Sequence, residues 1–298
     1  MPEKEHITLV VACDNHYLIM LAALLKSIEI NHHTEEFIDV WVVEDHITTK
    51  NKKKLHASIG DKMNIRWISM KDAIPKGMHL PLDKNTYPLN IFMRLFIPYF
   101  LPQSIEKAIY LDVDMLVLKD ISELWHTAIE GNIAGAVTDS ICKTIDRGMK
   151  NHKALGLNSE APYFNSGLLL MDLKKWLQHD ITPKVIECVN ENRDFAAFSD
   201  QYGLNYALYG QWKELDPLWN YYSNGDNPQP FLIHFFHRKP FYLTYPYNPE
   251  YQGLFYAYLN QTQWQGQPPI GELKRYLVKI GNIVEKIPLL LRNLLNSF

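Results

Sequence analysis

Ile7 to Ala12 (ITLVVA) is an unbroken apolar run, the pattern of a strand covered on both faces in a parallel sheet. A polar stretch follows, Cys13-Asp14-Asn15-His16-Tyr17, and Leu18 to Ile30 then takes a helical period. Asp39 to Val43 predicts a second strand, Thr48 to Ser58 a lysine-rich surface helix, and Asn64 to Ser69 a third strand. Strand and helix alternating at this spacing predict an α/β fold, a single Rossmann-like domain with a mostly parallel central sheet.

Farther along, Lys71 to Pro88 holds four Pro and Gly punctuations and no period, which predicts a long loop. Ala108 to Leu118 (AIYLDVDMLVL) is an apolar run split by two aspartates, read as a strand opening into a site. Ile121 to Trp125 predicts a short helix and Asn132 to Thr138 a strand ending at Asp139; Ser140 to Pro162 has no pattern. Tyr163 to Gly167 leads into the apolar stretch Leu168 to Leu173; Trp212 to Leu215 and Phe231 to Phe236 read as strands, and Thr182 to Asn192 and Asp200 to Leu208 as helices. The end differs in character. Leu273, Tyr276, Leu277, Ile280, Val284 and Ile287 fall at helical spacing, with Lys274, Arg275, Lys279 and Lys286 toward the other face. This predicts a domain over residues 1–265 and a basic amphipathic tail over 266–298. Such a helix can lie in a membrane interface or dock on the body; it is too short and too charged to span.

Composition narrows the picture. With 298 residues, 47% of them hydrophobic, the chain can bury a large core. A net charge of -3 offers no reason to expect nucleic acid as a partner. Cys13, Cys142 and Cys188 are odd in number and far apart, which fits neither a disulfide framework nor a metal knuckle and favours a reducing cytoplasm. MPEKEHITLVVAC has no long apolar segment, so neither a signal peptide nor an anchor is expected there.

The chemistry concentrates at Asp112-Val113-Asp114. Two hard carboxylates beside apolar residues suit magnesium or manganese, although most Asp-x-Asp triplets are only solvated. Asp14, at the end of the first strand, can accept from a base or ribose or cap the following helix. No glycine-rich phosphate loop accompanies it, so phosphates must be held elsewhere. Arg94, inside LNIFMRLFIPYF, needs a partner, either a ligand phosphate or a core acid such as one of the paired aspartates. His234 lies in an apolar strand, where core histidines outnumber ligands. The basic cluster His237-Arg238-Lys239 suits a diphosphate but is commonly just solvated.

In chain order, VACDNHY, the FMRL arginine, YLDVDMLV, YFNSGLLLMDLKKW, DQYGLN and HFFHRKPF together resemble glycosyltransferase family 8, particularly bacterial galactosyl- and glucosyltransferases of lipopolysaccharide assembly. The resemblance implies a GT-A type fold and retaining transfer from UDP-glucose or UDP-galactose to a saccharide acceptor. It implies that Ala12, Asp14 and His16 hold uracil and ribose, with Val113 touching the ribose through its backbone. Asp112, Asp114 and His234 would bind Mn²⁺ or Mg²⁺, and Lys239 would meet the diphosphate. Arg94, Asp139, Asn165, Asp200 and Gln201 would surround the sugar, Gln201 opposite the leaving group. The tail resembles the membrane-associating end of some members, which implies a place on the cytoplasmic face of a bacterial membrane. The chain departs from the family at His16, where a relative has asparagine, and at Tyr202, where a second aspartate is common. The His234–Lys239 segment is one residue short and lacks the usual glycine.

Because Gln201 is a poor nucleophile, front-face attack is expected, with Asp200 as a covalent nucleophile the alternative. Two rivals remain at this level. A phosphohydrolase could use Asp112 as nucleophile and Asp114 as acid, although Leu116 stands where such enzymes place Thr or Val. A sugar-nucleotide-binding protein without turnover is the other.

Overall fold

A computed structural model describes residues 6–81, 89–197, 199–227 and 229–273, and in the tail beyond only 275–277, 280 and 284. Ten strands are present among them: β1 His6–Asp14, β2 Phe37–Asp45, β3 Met63–Ser69, β4 Lys107–Leu111, β5 Met115–Val117, β6 Ala134–Thr138, β7 Phe164–Asp172, β8 Trp212–Glu214, β9 Tyr221–Tyr222 and β10 Leu232–His234. Seven form one sheet in the order β3-β2-β1-β4-β7-β6-β8. All pairings are parallel except those of β7, which runs against both β4 and β6. The expected α/β architecture is therefore present.

The apolar run of β1 is divided between two cores. Ile7, Leu9, Val11 and Cys13 enter the cluster on one face, with the helix Leu18–Asn31, while Val10 and Ala12 enter the other. Successive strand side chains alternate faces, so both faces must be apolar when both are covered. The second core gathers Phe92 and Phe96 of the 3-10 helix Leu89–Phe96, Trp176, and the helices Ile181–Glu191 and Ser199–Ala207.

A parallel sheet collects its strand ends on one edge, the usual place for a ligand. Reversal of β7 adds something to that edge. Its register pairs Leu168 with Leu111 and Phe164 with Thr138, so the start of β7 lies beside the ends of β4 and β6. Asn165, Ser166 and Gly167 thereby reach the carboxyl edge from the opposite direction.

A second, smaller sheet has the order β5-β10-β9. His234 pairs with Met115 on one side and Tyr222 on the other, which carries the imidazole to the residue after Asp114. The helix Leu18–Asn31 steadies this sheet: Val117 N–H donates to Ser27 Oγ at 3.0 Å, and Asn31 Nδ2 donates to the Val117 carbonyl at 3.0 Å.

Several expectations change. Asp112-Val113-Asp114 is not strand but a turn between β4 and β5, because the chain leaves one sheet there and joins the other. The apolar stretch from Leu168 belongs to a strand that begins at Phe164, and the strand expected over Phe231–Phe236 is confined to Leu232–His234. The aromatic segment after Asn248 forms the unpredicted helix Pro249–Leu259; Asn248 Oδ1 caps it by accepting from Glu250 N–H at 2.9 Å, and Tyr251, Phe255 and Leu259 are buried. Residues 82–88 of the predicted loop and most of the tail, including Leu289–Leu295, lie outside the described residues. Within the tail Ile270 is joined to the body, its N–H donating to the Phe241 carbonyl at 2.7 Å, while Leu273 is 75% exposed and Tyr276, Leu277, Ile280 and Val284 are all exposed.

The helices Ile181–Glu191 and Ser199–Ala207 cross at Gly203, where a Cβ would stand 2.7 Å from Val185 Cγ1 and 3.0 Å from the Val185 carbonyl oxygen. Gly203→Ala is therefore expected to push the two helices apart at a cost of about 1–3 kcal/mol. A chemical-denaturation series measures it, and an unchanged midpoint would contradict the close crossing.

Candidate active site

The turn at Asp112 is held from three sides. Its backbone N–H donates to the Gly167 carbonyl at 2.7 Å, and its Oδ1 accepts from Arg94 Nη2 and from the Tyr110 hydroxyl, each at 2.7 Å. Arg94 is 3% exposed and has its remaining donors committed: Nη1 to the Ser166 carbonyl, and Nε to the Ile91 carbonyl at 3.0 Å and 3.2 Å from Asp200 Oδ2. Its plane lies over the Tyr110 ring, 4.5 Å from the centroid. Of the two partners open for Arg94, the core acids are the ones observed, and there are two of them. Burial raises the Asp112 carboxyl above the usual carboxylate range; Arg94 opposes this and Asp114 adds to it.

Asp114 faces different partners. The Lys239 ammonium is 2.5 Å from Oδ2 and also donates to the Phe235 carbonyl at 2.7 Å, while His234 Nε2 is 3.3 Å from Oδ1. Burial pushes this carboxyl up, yet it is held well below its ordinary value, with the Lys239 ammonium the largest lowering influence. Oδ1 is buried and accepts no hydrogen bond. A buried acceptor left without a donor is costly and calls for an explanation. A divalent cation supplies one: one ligand atom each from Asp112, Asp114 and His234 lie within 4.8 Å of one another. The donor set, two hard oxygens and one imidazole nitrogen, fits such an ion. Gly167 leaves the room, since a Cβ there would come 2.8 Å from Asp112 Oδ2 and 2.8 Å from His234 Cε1.

Behind the acids lies a network of hydrogen-bonded side chains. Asp139 Oδ1 accepts from the N–H groups of Ile141 and Cys142, both at 2.8 Å, which secures the loop after β6. Its Oδ2 accepts from the Tyr222 hydroxyl at 2.9 Å and Gln201 Nε2 at 3.2 Å. Asn165 Nδ2 reaches Tyr222 Oη at 2.8 Å and Gln201 Oε1 at 3.0 Å, and Ser166 N–H donates to the same Gln201 oxygen at 3.1 Å. Ser166 Oγ donates to Asp200 Oδ2 at 3.1 Å. Burial, with the Asp139 charge, drives the Tyr222 phenol far above its ordinary value, so it stays a neutral donor.

The end of β1 meets this edge through aromatic rings. Asp14 Oδ1 accepts from Tyr17 N–H at 2.7 Å, so it does brace the turn into the helix. His16 Nε2 lies 2.8 Å from the Tyr242 hydroxyl, and the Phe241 ring packs edge-on against both His16 and Tyr17. Ala12 is buried and Val113 half-buried. The chain from His234 to Tyr242 thus joins the acid cluster to the first loop. Within it His237 adopts φ 50°, the left-handed conformation that a glycine would take easily. Arg238 turns away to Glu272, 3.2 Å distant.

The residues expected to hold metal, nucleotide and sugar stand on this one edge, in two linked groups, whereas Arg238 and Tyr202 point to Glu272 and Asn151. Tyr110, Ser166, Asn220 and Tyr222 were not singled out. Nothing local marks them, apart from the neighbourhood of Ser166 to Asn165.

Gly167→Ala is expected to lower affinity for a divalent cation at least about tenfold, the range seen when groups around a metal are displaced. Titration with Mn²⁺ measures it; unchanged affinity would place the cation elsewhere. His237→Val is expected to cost about 1–2 kcal/mol in a denaturation series, and His237→Gly to be neutral or stabilising.

The sequence profile described as Glycosyl transferase family 8 matches residues 8–243. General stress protein A of Bacillus subtilis is 29% identical over 90% of this chain and 99% of its own length. Lipopolysaccharide 1,2-glucosyltransferase of Escherichia coli is 25% identical over 70% of this chain and 60% of its own length. Among solved structures, galactosyltransferase LgtC in complex with donor and acceptor sugar analogs superposes with TM-score 0.72 at 24% identity, covering 87% of this chain and 99% of LgtC. That likeness shows a GT-A type fold. The match over most of the chain, through every strand that builds the edge, establishes the chain as a member of glycosyl transferase family 8, a family of enzymes that transfer sugars.

Proposed function

We propose that this chain is a retaining α-glycosyltransferase moving glucose or galactose from UDP-glucose or UDP-galactose to a saccharide hydroxyl, in lipopolysaccharide or other cell-surface glycan assembly. The observation that carries the reading is the convergence of Asp112, Asp114 and His234 beside a buried wall of hydrogen-bonding groups. The names of the E. coli glucosyltransferase and of LgtC support the hexose and the glycan.

Asp112, Asp114 and His234 would hold Mn²⁺ or Mg²⁺, the imidazole tipping the choice to Mn²⁺. When bound, the ion supplies charge neutralisation for the departing diphosphate. Lys239 brings a further positive charge to the same edge, and electrostatic stabilisation of the leaving group is the dominant contribution. Ala12, Asp14 and His16 would hold uracil and ribose, with Val113 touching the ribose through its backbone. Arg94, Asp139, Asn165, Asp200 and Gln201 would surround the hexose.

Asp200 is a weak candidate nucleophile. The guanidinium of Arg94 and the hydroxyl of Ser166 both engage Oδ2, which withdraws the electron density that attack requires. Gln201 is neutral and tied to Asp139 and Ser166. This supports front-face transfer: the acceptor oxygen bonds to the anomeric carbon as its bond to the phosphate oxygen breaks. The acceptor's proton passes to that departing oxygen. The phosphohydrolase rival would need Asp112 free to attack, yet its Oδ1 is shared by Arg94 and Tyr110.

The basic tail, residues 266–298, would lie on a membrane surface at the cytoplasmic face. Leu273, Tyr276, Leu277, Ile280 and Val284 are exposed, and among the described residues no helix is long and apolar enough to cross a membrane.

With Mn²⁺ and a panel of UDP-sugars, UDP release should be fastest with a hexose donor plus saccharide acceptor. Asp114→Asn should reduce it by more than about a hundredfold, beyond the usual effect of altering a group around the metal. Release insensitive to chelation and to this substitution would defeat the reading. Replacing Leu273, Leu277 and Ile280 by glutamate should abolish flotation with anionic vesicles while turnover on a water-soluble acceptor is unchanged. Flotation equal to wild type would remove the tail from the membrane.

A further inference from the structure

We propose that Asn220 is a positioning residue for the cation site, holding His234 in the tautomer whose Nε2 lone pair faces the two aspartates. The inference rests on reading Asp112, Asp114 and His234 as cation ligands. It follows from the direction of four hydrogen bonds, starting from one that cannot be reversed.

The backbone N–H of Gly167 can only donate, and its partner is Asn165 Oδ1 at 3.0 Å. That contact fixes which end of the Asn165 amide is oxygen. The other end agrees, because it lies 3.3 Å from Asp139 Oδ2, a carboxylate oxygen that can only accept. The Asn220 atom 2.8 Å from Asn165 Oδ1 must therefore be its amide nitrogen. The opposite end of Asn220 is then its oxygen, 2.9 Å from His234 Nδ1. An amide oxygen only accepts, so Nδ1 carries the proton. In the neutral imidazole, the form that can ligate a metal, Nε2 is then bare.

That bare nitrogen lies 3.3 Å from Asp114 Oδ1, the buried oxygen that accepts no hydrogen bond. Two lone pairs facing one another repel unless a cation joins them. A strand N–H on β7 thus sets the direction of an imidazole lone pair on β10, through two neutral amides. Asn220 is 4% exposed, at the end of the 3-10 turn Pro217–Asn220, so water cannot readily replace it. A neutral acceptor also suits this position better than a carboxylate would, because Asp112, Asp114 and Asp139 already crowd the edge with negative charge.

The test uses the full chain. Long-range ¹H–¹⁵N correlation spectra report which His234 nitrogen carries the proton, with the signals assigned by their loss in His234→Gln. Wild type without metal should show protonated Nδ1 and bare Nε2. Mn²⁺ affinity follows from the electron-paramagnetic signal of the free ion. Asn220→Leu removes the acceptor and should weaken Mn²⁺ binding by about 10- to 100-fold, with the Nε2–H tautomer gaining population. Asn220→Asp keeps an acceptor for Nδ1–H but loses the N–H that Asn165 Oδ1 accepts and adds a charge, so it should retain the Nδ1–H tautomer and restore only part of the affinity. A wild-type spectrum with a proton on Nε2 would overturn the inference, and needs no variant to fold. So would wild-type Mn²⁺ affinity in Asn220→Leu. Wild type that shows the expected tautomer but binds no Mn²⁺ would instead defeat the cation site and leave the relay standing.

Discussion

Two carboxylates forced into one buried turn repel each other, and the arrangement of this edge follows from how that repulsion is offset. At 4.8 Å, the limit within which the Asp112, Asp114 and His234 ligand atoms lie, like unit charges repel by roughly 3.5 kcal/mol at an effective dielectric of about 20. The chain answers with separate counter-charges on the two acids. Arg94 and Tyr110 take Asp112 from the second core, and Lys239 takes Asp114 from the side of the second sheet. What remains is a buried oxygen with no donor, Asp114 Oδ1, facing an imidazole.

Holding the acids in this way divides the labour among elements. Arg94 also reaches Asp200 and the Ser166 carbonyl, so a single buried cation couples the acid turn to the helix Ser199–Ala207 and to the start of β7. Removing such a charge would leave its partners uncompensated, which is far costlier than the pair is favourable. The network behind the acids is mostly neutral by contrast. Asn165, Gln201, Asn220 and Tyr222 satisfy one another and Asp139. Groups oriented by such mutual bonds need little rearrangement when charge develops beside them.

The reversed strand β7 is the topological device behind both. A parallel strand in its place would bring a carboxyl end to the edge; the antiparallel one brings its amino end, Asn165-Ser166-Gly167. The same three residues supply an amide to that network, a hydroxyl to Asp200, and the space and N–H that a side chain at Gly167 would remove.

Much of this was legible in the residues. Unbroken apolar strands such as Ile7–Ala12, separated by helical periods, announce a doubly covered sheet, because that pattern has few other ways to bury itself. Asp112, Asp114 and a buried arginine at Arg94 declare a charge problem wherever they fold. The helix Pro249–Leu259 went unread although Asn248-Pro249 is a good start signal, because aromatic residues on all sides hide its buried stripe. Tertiary structure alone decided that Asp112-Val113-Asp114 is a turn between two sheets and that Arg94 serves Asp112 and Asp200 together. It also chose Asn220 and Tyr222 as the partners that orient the site. Local sequence encodes which side chains want burial and which need partners; it does not encode which distant partner arrives, since that depends on strand order and register across the whole sheet.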